Sequence, residues 1–379
     1  MEPTMAAVVG GFASRASGGR ILRRQVGDPE SMQPLSVKNK IGRTGLVVPP
    51  VIFGTSCLGN LYRALPWDTK LAIMRGFFQH VEAPVVLDTA GKYGAGLALE
   101  VIGKGLRELA IPPEDVVISN KLGWRRVPLT TPEPTFEPGA WADLENDAVQ
   151  CISYDGILEC YEQGCGLLGE GYTTQVVSVH DPDEYLAAAT SGTDRARRFA
   201  DVLGAYKALF ELKAAGRVRA VGVGSKDWRV IQELADRVEL DWVMFACSLT
   251  VYTHPPELLA FMDELNGRGT GMINSAVFNA GFLVGGQYFD YRLPDPAKER
   301  ELFAWRAGFL GLCAEYHVSP AAACVQFGMS VPGVAATALN TSKPDRVAEN
   351  VDLVRTDIPA EFWAAMRYAE LIQPHFPFV

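Results

Sequence analysis

Short apolar runs rich in β-branched residues recur along this chain from residue 51 onward, separated by helix-like stretches. Val85-Val86-Leu87, Val116-Val117-Ile118 and Val176-Val177-Ser178-Val179 are representative. Runs that are apolar on both faces suit parallel strands covered on both sides, not antiparallel strands with one wet face. The pattern predicts strands at 51–55, 85–88, 116–121, 176–180, 218–223, 242–247, 271–275 and 334–339. Helices are expected between them at 68–80, 97–109, 144–163, 195–215, 228–238, 256–267 and 298–317, with a last one starting near Lys343. Asp68 and Asp227 read as N-caps, and Gly216 as a C-terminal stop. Eight strand–helix units point to an α/β fold closed into a (β/α)8 TIM barrel. An open doubly wound sheet would normally carry Gly-x-Gly-x-x-Gly after its first strand. Thr55-Ser56-Cys57-Leu58-Gly59-Asn60 stands there instead.

A chain of 379 residues, 48% apolar, has room for one such barrel and long additions. Residues 36–379 are assigned to this single domain, and 1–35 to a disordered leader. The leader holds Arg15, Arg20, Arg23 and Arg24 behind an apolar stretch, the wrong order for a secretory signal. It lacks a clear amphipathic repeat, which favours a leader over a transit peptide. A net charge of −9 without a dominant basic stretch argues against nucleic acid as a partner. No apolar run is long enough to span a bilayer. Seven cysteines without a Cys-x-x-Cys pair suit a reducing compartment, hence the cytoplasm. Five scattered histidines give no metal signature. Residues 36–48, with Arg43-Thr44-Gly45 between apolar flanks, read as a hairpin ahead of the barrel. Two long insertions follow strands: proline-rich 124–143, and 279–296 with Gly285, Gly286, Tyr288, Phe289 and Tyr291. Long loops on the C-terminal face of a barrel are usually binding loops or lids.

Asp88, Lys121 and His180 each close one of the apolar runs, and Tyr93 lies five residues past Asp88. Singly, each has an ordinary explanation as a strand terminator, an ion pair or a packed loop residue. Together, along one regular βα pattern, they converge on the barrel end where chemistry occurs. A free phenol has a pKa of about 10. A neighbouring Lys121 ammonium is expected to lower that of Tyr93 by roughly 1–3 units. Asp88 would hold the ammonium, and His180 would orient a substrate oxygen. Tyr93 then protonates a forming alkoxide in reduction and takes the hydroxyl proton in oxidation. None of the four accepts hydride, so a cofactor must.

Phe53-Gly54-Thr55, Leu87-Asp88-Thr89-Ala90-Gly91-Lys92-Tyr93-Gly94, Ile118-Ser119-Asn120-Lys121 and Val179-His180-Asp181 resemble the successive motifs of the aldo-keto reductases. Ile152-Ser153-Tyr154-Asp155-Gly156-Ile157 is similar to their sugar-dehydrogenase branch, and the resemblance covers roughly residues 36–372. It implies a nicotinamide cofactor. Ser225, in Gly222-Val223-Gly224-Ser225-Lys226, would meet the carboxamide, although Lys226 departs from the family's usual Ser-Asn. Asn279, Gly281 and Leu283 would line the pyrophosphate, and Ser275 stands where many relatives stack a tyrosine. Asn340, Thr341, Ser342 and Lys343, with Arg346, Glu349 and Asn350 on the last helix, would take the adenosine end. Lys343 and Arg346 are a sparse cation set for a 2′-phosphate, which favours NAD over NADP. Tyr62, Trp67, Trp124 and Arg125 supply aromatic faces and donors suited to a polyhydroxylated ring or to pyridoxal. The expected function is NAD(P)-dependent oxidation of the anomeric carbon of an aldose to its lactone, by a monomer or homodimer. The alternatives are an aldehyde or ketone reductase acting on a substrate such as pyridoxal, and a nicotinamide-binding regulatory barrel.

Overall fold

A computed structural model describes residues 33–379. Of the expected leader, 1–35, residues 1–32 lie outside the described part. Leu35, assigned to that leader, is buried and forms a bridge with Val81, its N–H donating to His80 O at 2.8 Å. The chain first makes the short hairpin β1 (Asn39–Lys40) and β2 (Val47–Val48), as residues 36–48 suggest. Then come β3 (Val51–Gly54), α1 (Trp67–His80), β4 (Val85–Ala90), α2 (Leu97–Glu108) and β5 (Val116–Leu122). An antiparallel pair, β6 (Trp124–Pro128) and β7 (Asn146–Gln150), precedes α3 (Tyr154–Leu168) and β8 (Val176–His180). Next are α4 (Pro182–Ala187), α5 (Gly192–Ala214), β9 (Ala220–Ser225), α6 (Trp228–Ala235), β10 (Trp242–Ala246), α7 (Pro256–Arg268) and β11 (Gly271–Ser275). The chain ends with α8 (Arg300–Glu315), α9 (Pro320–Met329), β12 (Val334–Leu339), α10 (Arg346–Leu353) and α11 (Ala360–Tyr368).

Strands β3, β4, β5, β8, β9, β10, β11 and β12 close in that order into a barrel, every neighbour parallel. The eight strands expected from the sequence are these. Successive side chains of a strand face opposite sides, so one set fills the axis and the other meets the helices. Val85, Leu87, Val116 and Ile118 face outward and pack with Ile73, Phe77, Leu99 and Ile102 of α1 and α2. Ile52, Val86, Val117, Val176, Trp242, Met244 and Ile273 fill the axis, capped by Ile41, Leu46 and Val48 around the hairpin. The interior is thus a packed floor, as expected for a barrel of this size. Trp242 sets a local rule: a Cβ on Gly222 of the adjacent strand would lie 2.4 Å from its indole. The Gly222 position in the segment read as cofactor-facing is therefore also demanded by packing.

Above this floor the same inward faces turn polar. Asp88 follows Val86, Ser119 and Lys121 follow Val117, and Ser178 and His180 follow Val176. All five are buried.

Several local expectations change. The stretch 144–163 is not one helix: β7 occupies its start, and α3 begins only after Ser153, whose Oγ accepts from Gly156 N at 3.1 Å. That hydroxyl N-cap is the boundary which the apolar periodicity hides. Helix α9 was not anticipated; it starts at Pro320 behind Ser319, and is apolar because it lies buried against β12. Asp68 lies in the first turn of α1 behind Pro66 and caps nothing. The helix expected to start near Lys343 begins at Arg346, and it is not the last, since another follows it. Asp227 does cap α6, and Gly216 follows α5 with φ +70°.

Candidate active site

The C-terminal ends of β4, β5 and β8 bring Asp88, Lys121 and His180 together, and the β4 loop returns Tyr93 over them. Lys121 Nζ lies 2.5 Å from Asp88 Oδ2 and 4.9 Å from the Tyr93 ring centroid. The Tyr93 and His180 rings meet edge to face at 5.7 Å and 85°. Tyr93 is fixed by a close backbone approach. A Cβ on Gly59 would lie 2.7 Å from Tyr93 backbone atoms, and one on Gly94, at φ +62°, would lie 2.2 Å from Gly59 O. Only glycine at both positions lets the loop after β3 clamp the turn that carries the phenol.

Burial sets the charge states. It works against the Lys121 ammonium, but Asp88 and then Tyr93 outweigh it and hold Lys121 cationic far above its ordinary range. Burial raises the Asp88 carboxyl, with Lys121 pulling the other way. The direction for Tyr93 corrects the sequence expectation. Its pKa is raised, because burial, aided by the Asp88 charge, exceeds the lowering by Lys121. The phenol is therefore protonated at rest, and Lys121 limits the rise. His180 is held well below its usual value by burial and by Lys92, Lys121 and Lys226, so its imidazole is neutral.

Around the tetrad lies a network that sequence reasoning missed. Buried Lys92 reaches Glu137 at 2.6 Å, Glu184 at 3.3 Å and Asp181 at 3.7 Å. Lys226 binds Glu184 at 2.6 Å. Glu137 belongs to the insertion after β5, where it also accepts from Trp141 Nε1 at 2.7 Å. That insertion lays Phe136, Trp141 and Trp124 beside Tyr93, with the Trp141 ring 6.0 Å from it. It is stitched to the β3 loop by Tyr62 N on Ala140 O at 2.7 Å and Ala142 N on Asn60 O at 3.1 Å. The proline-rich segment is thus an ordered aromatic wall.

The four residues expected to touch substrate separate. Trp124 joins the wall, under the Lys92 ammonium at 5.1 Å. Tyr62 stacks on Tyr288 at 6.2 Å, both exposed, linking the β3 loop to the 279–296 loop. Trp67 starts α1 and takes the Lys104 ammonium at 3.8 Å. Arg125 points to α3, 3.4 Å from Glu159, and Arg126 forks onto Glu100 at 2.7 and 2.8 Å. Neither Trp67 nor Arg125 contacts the tetrad in these interactions.

The expected cofactor residues form two groups. Ser225 is buried at the end of β9, one residue past Gly224, which pairs with His180, and its Oγ donates to Asp227 O at 3.1 Å. Asn279 donates to Asp290 at 2.9 Å, and its buried Oδ1 has no partner. Gly281 has φ +93°, with open space where a Cβ would be. Leu283 does not fit its expected role: its side chain lies in the core and its N–H is held by Phe278 O at 3.2 Å. The other group surrounds the start of α10. Asn340 donates to Ser56 at 2.7 Å, and Thr341 Oγ1 accepts from Lys343 N at 3.1 Å. Arg63, which sequence reasoning passed over, donates to Ser342 O at 3.3 Å. Arg346 and Glu349 face each other at 3.9 Å, and Asn350 Nδ2 is buried without a partner. Orphaned amides on both segments, with Arg63, Lys343 and Arg346 at one end, fit an elongated ligand with an anionic end.

The family model for the aldo/keto reductase family matches residues 50–370. The chain belongs to the aldo/keto reductase family. It is 30% identical to pyridoxal 4-dehydrogenase of Microbacterium luteolum, over 89% of this chain and 98% of that one. It is 27% identical to D-threo-aldose 1-dehydrogenase of a Pseudomonas species, over 86% and 96%. L-galactose dehydrogenase of Arabidopsis thaliana matches at 26%, over 64% and 66%. Among solved structures, an aldo-keto reductase of Bacillus halodurans has a TM-score of 0.64 at 20% identity, covering 89% of this chain and 96% of its own. Glycerol dehydrogenase of Gluconobacter oxydans has a TM-score of 0.65 at 16%, covering 90% and 96%. These two share the barrel fold. Family membership makes this aldo-keto reductase an oxidoreductase of small molecules and implies a nicotinamide cofactor. Among the described residues no helix is long and apolar enough to cross a membrane.

Proposed function

We propose that this aldo-keto reductase is an aldose dehydrogenase that oxidises the anomeric carbon of a cyclic sugar to its lactone, with Tyr93 as general acid–base. The observation that carries the reading is the buried Lys121, placed against both Asp88 at 2.5 Å and the Tyr93 ring at 4.9 Å. Asp88 fixes the ammonium, and the ammonium favours the phenolate that forms when Tyr93 gives up its proton. Neutral His180 donates to the substrate oxygen and aims it at the phenol. In oxidation the basic form of Tyr93 receives the hydroxyl proton; in reduction the phenol returns it. The bound nicotinamide supplies hydride exchange. Ser225, Asn279 and Gly281 would hold it near the tetrad, and residues 340–343, Arg346, Glu349 and Asn350 its far end. NAD serves at least as well as NADP in this reading. Trp124, Phe136 and Trp141 offer ring faces for the apolar side of a sugar.

A second reading, dehydrogenation of pyridoxal, is supported by the same aromatic wall and by the 30% identity to pyridoxal 4-dehydrogenase. A spectrophotometric screen of aldoses and pyridoxal with NAD and NADP separates the two. Turnover of aldoses supports the first reading, and turnover of pyridoxal alone the second. Cofactor binding without turnover of any aldehyde, ketone or hemiacetal would leave a regulatory barrel and end both.

A further inference from the structure

The acid–base chemistry leaves one carboxylate beside His180 without a task. Asp181 directly precedes α4, where an aspartate ordinarily accepts from the first N–H groups of the helix. It makes no such cap. Its backbone sits at φ +45° and ψ +55°, a conformation aspartate tolerates better than most residues. Its N–H is tied to Gly224 O at 3.3 Å. The side chain turns back to the barrel mouth, with Oδ2 3.4 Å from His180 Nε2 and 3.7 Å from Lys92 Nζ. Lys92 and His180 side chains are 4% and 5% exposed, whereas that of Asp181 is 15% exposed, the most accessible of the three. Lys92 also serves Glu137 and Glu184, so its charge is divided among three carboxylates, and Lys226 is a second cation near Asp181.

A donor and an acceptor 3.4 Å apart match the two oxygens of a gauche 1,2-diol, which are separated by about a hydrogen-bond length. We infer that Asp181 is a specificity residue that accepts the hydroxyl on the carbon next to the reacting one, while His180 Nε2–H donates to the reacting oxygen. The ligand class is a hemiacetal with a free adjacent hydroxyl. This rests on the aldose reading proposed above. Lys92, anchored by Glu137, holds the carboxylate from behind.

The test compares kcat/KM for an aldose and its 2-deoxy analogue, with NAD, in wild type, Asp181→Ala and Asp181→Asn. Cofactor affinity and melting temperature serve as folding controls. Wild type is expected to prefer the 2-hydroxy sugar by roughly tenfold or more, the worth of a hydrogen bond to a charged group. Asp181→Ala should erase that preference, mainly through KM for the 2-hydroxy sugar. Asp181→Asn keeps an acceptor without the charge and should retain part of the preference. Equal use of both sugars by wild type overturns the inference and leaves the aldose reading intact. So does an equal loss for both sugars in Asp181→Ala. Should the alanine variant not fold, an undiminished preference in Asp181→Asn overturns the inference. Turnover of neither sugar, with turnover of other aldehydes, sinks the aldose reading and this inference together.

Discussion

Lys121 and Asp88 form an ion pair with Nζ and Oδ2 2.5 Å apart, both side chains almost wholly shielded from solvent. Their separation from water gives the pair its grip on Tyr93 and makes each partner costly to remove alone. Lys121→Met should lower stability by about 3–5 kcal/mol, because it strands the Asp88 charge. Adding Asp88→Asn should recover most of that loss, as read by chemical denaturation. In reduction, where Tyr93 must be protonated, the basic limb of the single variant should move to higher pH, because burial and Asp88 then act on Tyr93 unopposed. An unchanged limb in a variant that still turns over would count against electrostatic tuning.

Tyr93→Phe keeps the ring contacts with His180 and Trp141 and removes only the proton-bearing oxygen. Turnover should fall by about a hundredfold or more, the usual scale of general acid–base catalysis. Cofactor affinity should stay near wild type. A variant retaining more than about a tenth of the rate, a loss under roughly 1.4 kcal/mol, would remove Tyr93 from the chemistry.

Asp181 gives the site an acid-side titration. Burial raises its carboxyl to about 6, against the opposing pull of Lys92. Glu184 and Asp183 reinforce the rise, Lys226 opposes it, and His180 beside it is neutral. Above that value Asp181 is an ionised acceptor; below it the charge is lost and only a weaker, neutral acceptor remains. KM for a 2-hydroxy sugar should therefore climb as pH falls through about 6, and this limb should vanish in Asp181→Asn. Steady-state profiles from pH 5 to 8 would show it.

Arg346→Ala should lower NADP use more than NAD use, since a 2′-phosphate asks for a positioned cation at the start of α10. The kcat/KM for both cofactors decides it. Strong NADP selectivity in wild type, carried by Arg63 and Lys343 as well, would defeat the expectation of NAD preference.

Gly222→Ala tests the barrel floor. The added methyl would lie 2.4 Å from the Trp242 indole, where no flexible side-chain end can yield. Overpacking of this kind costs typically 1–3 kcal/mol. A melting temperature equal to wild type would mean that Trp242 has room to move.

The barrel was legible because each strand is shielded on both faces and so reads as a continuous apolar run. The tetrad was legible because three members end such runs. Residues brought together by irregular backbone were not. Lys92 and Glu137 meet at 2.6 Å although nothing local marks Glu137, which lies in a stretch whose prolines mimic a loop. Trp124 and Arg125 illustrate a finer limit. Neighbours on a strand point to opposite sides, so a pair read together as substrate-facing was split, one to the wall and one to α3. Leu283 was misjudged for a similar reason, since its one-turn 3-10 helix carries it into the core.

The hairpin of β6 and β7 leaves the barrel just after the strand that bears Lys121 and returns just before α3. Its two ends are pinned together at the base, with Cys151 N on Gly123 O at 2.8 Å. A segment joined at neighbouring points can be exchanged for one of different length without altering strand order. The aromatic wall of Phe136 and Trp141 is thus an excursion from the barrel, open to change in length while the order of the eight strands stays put.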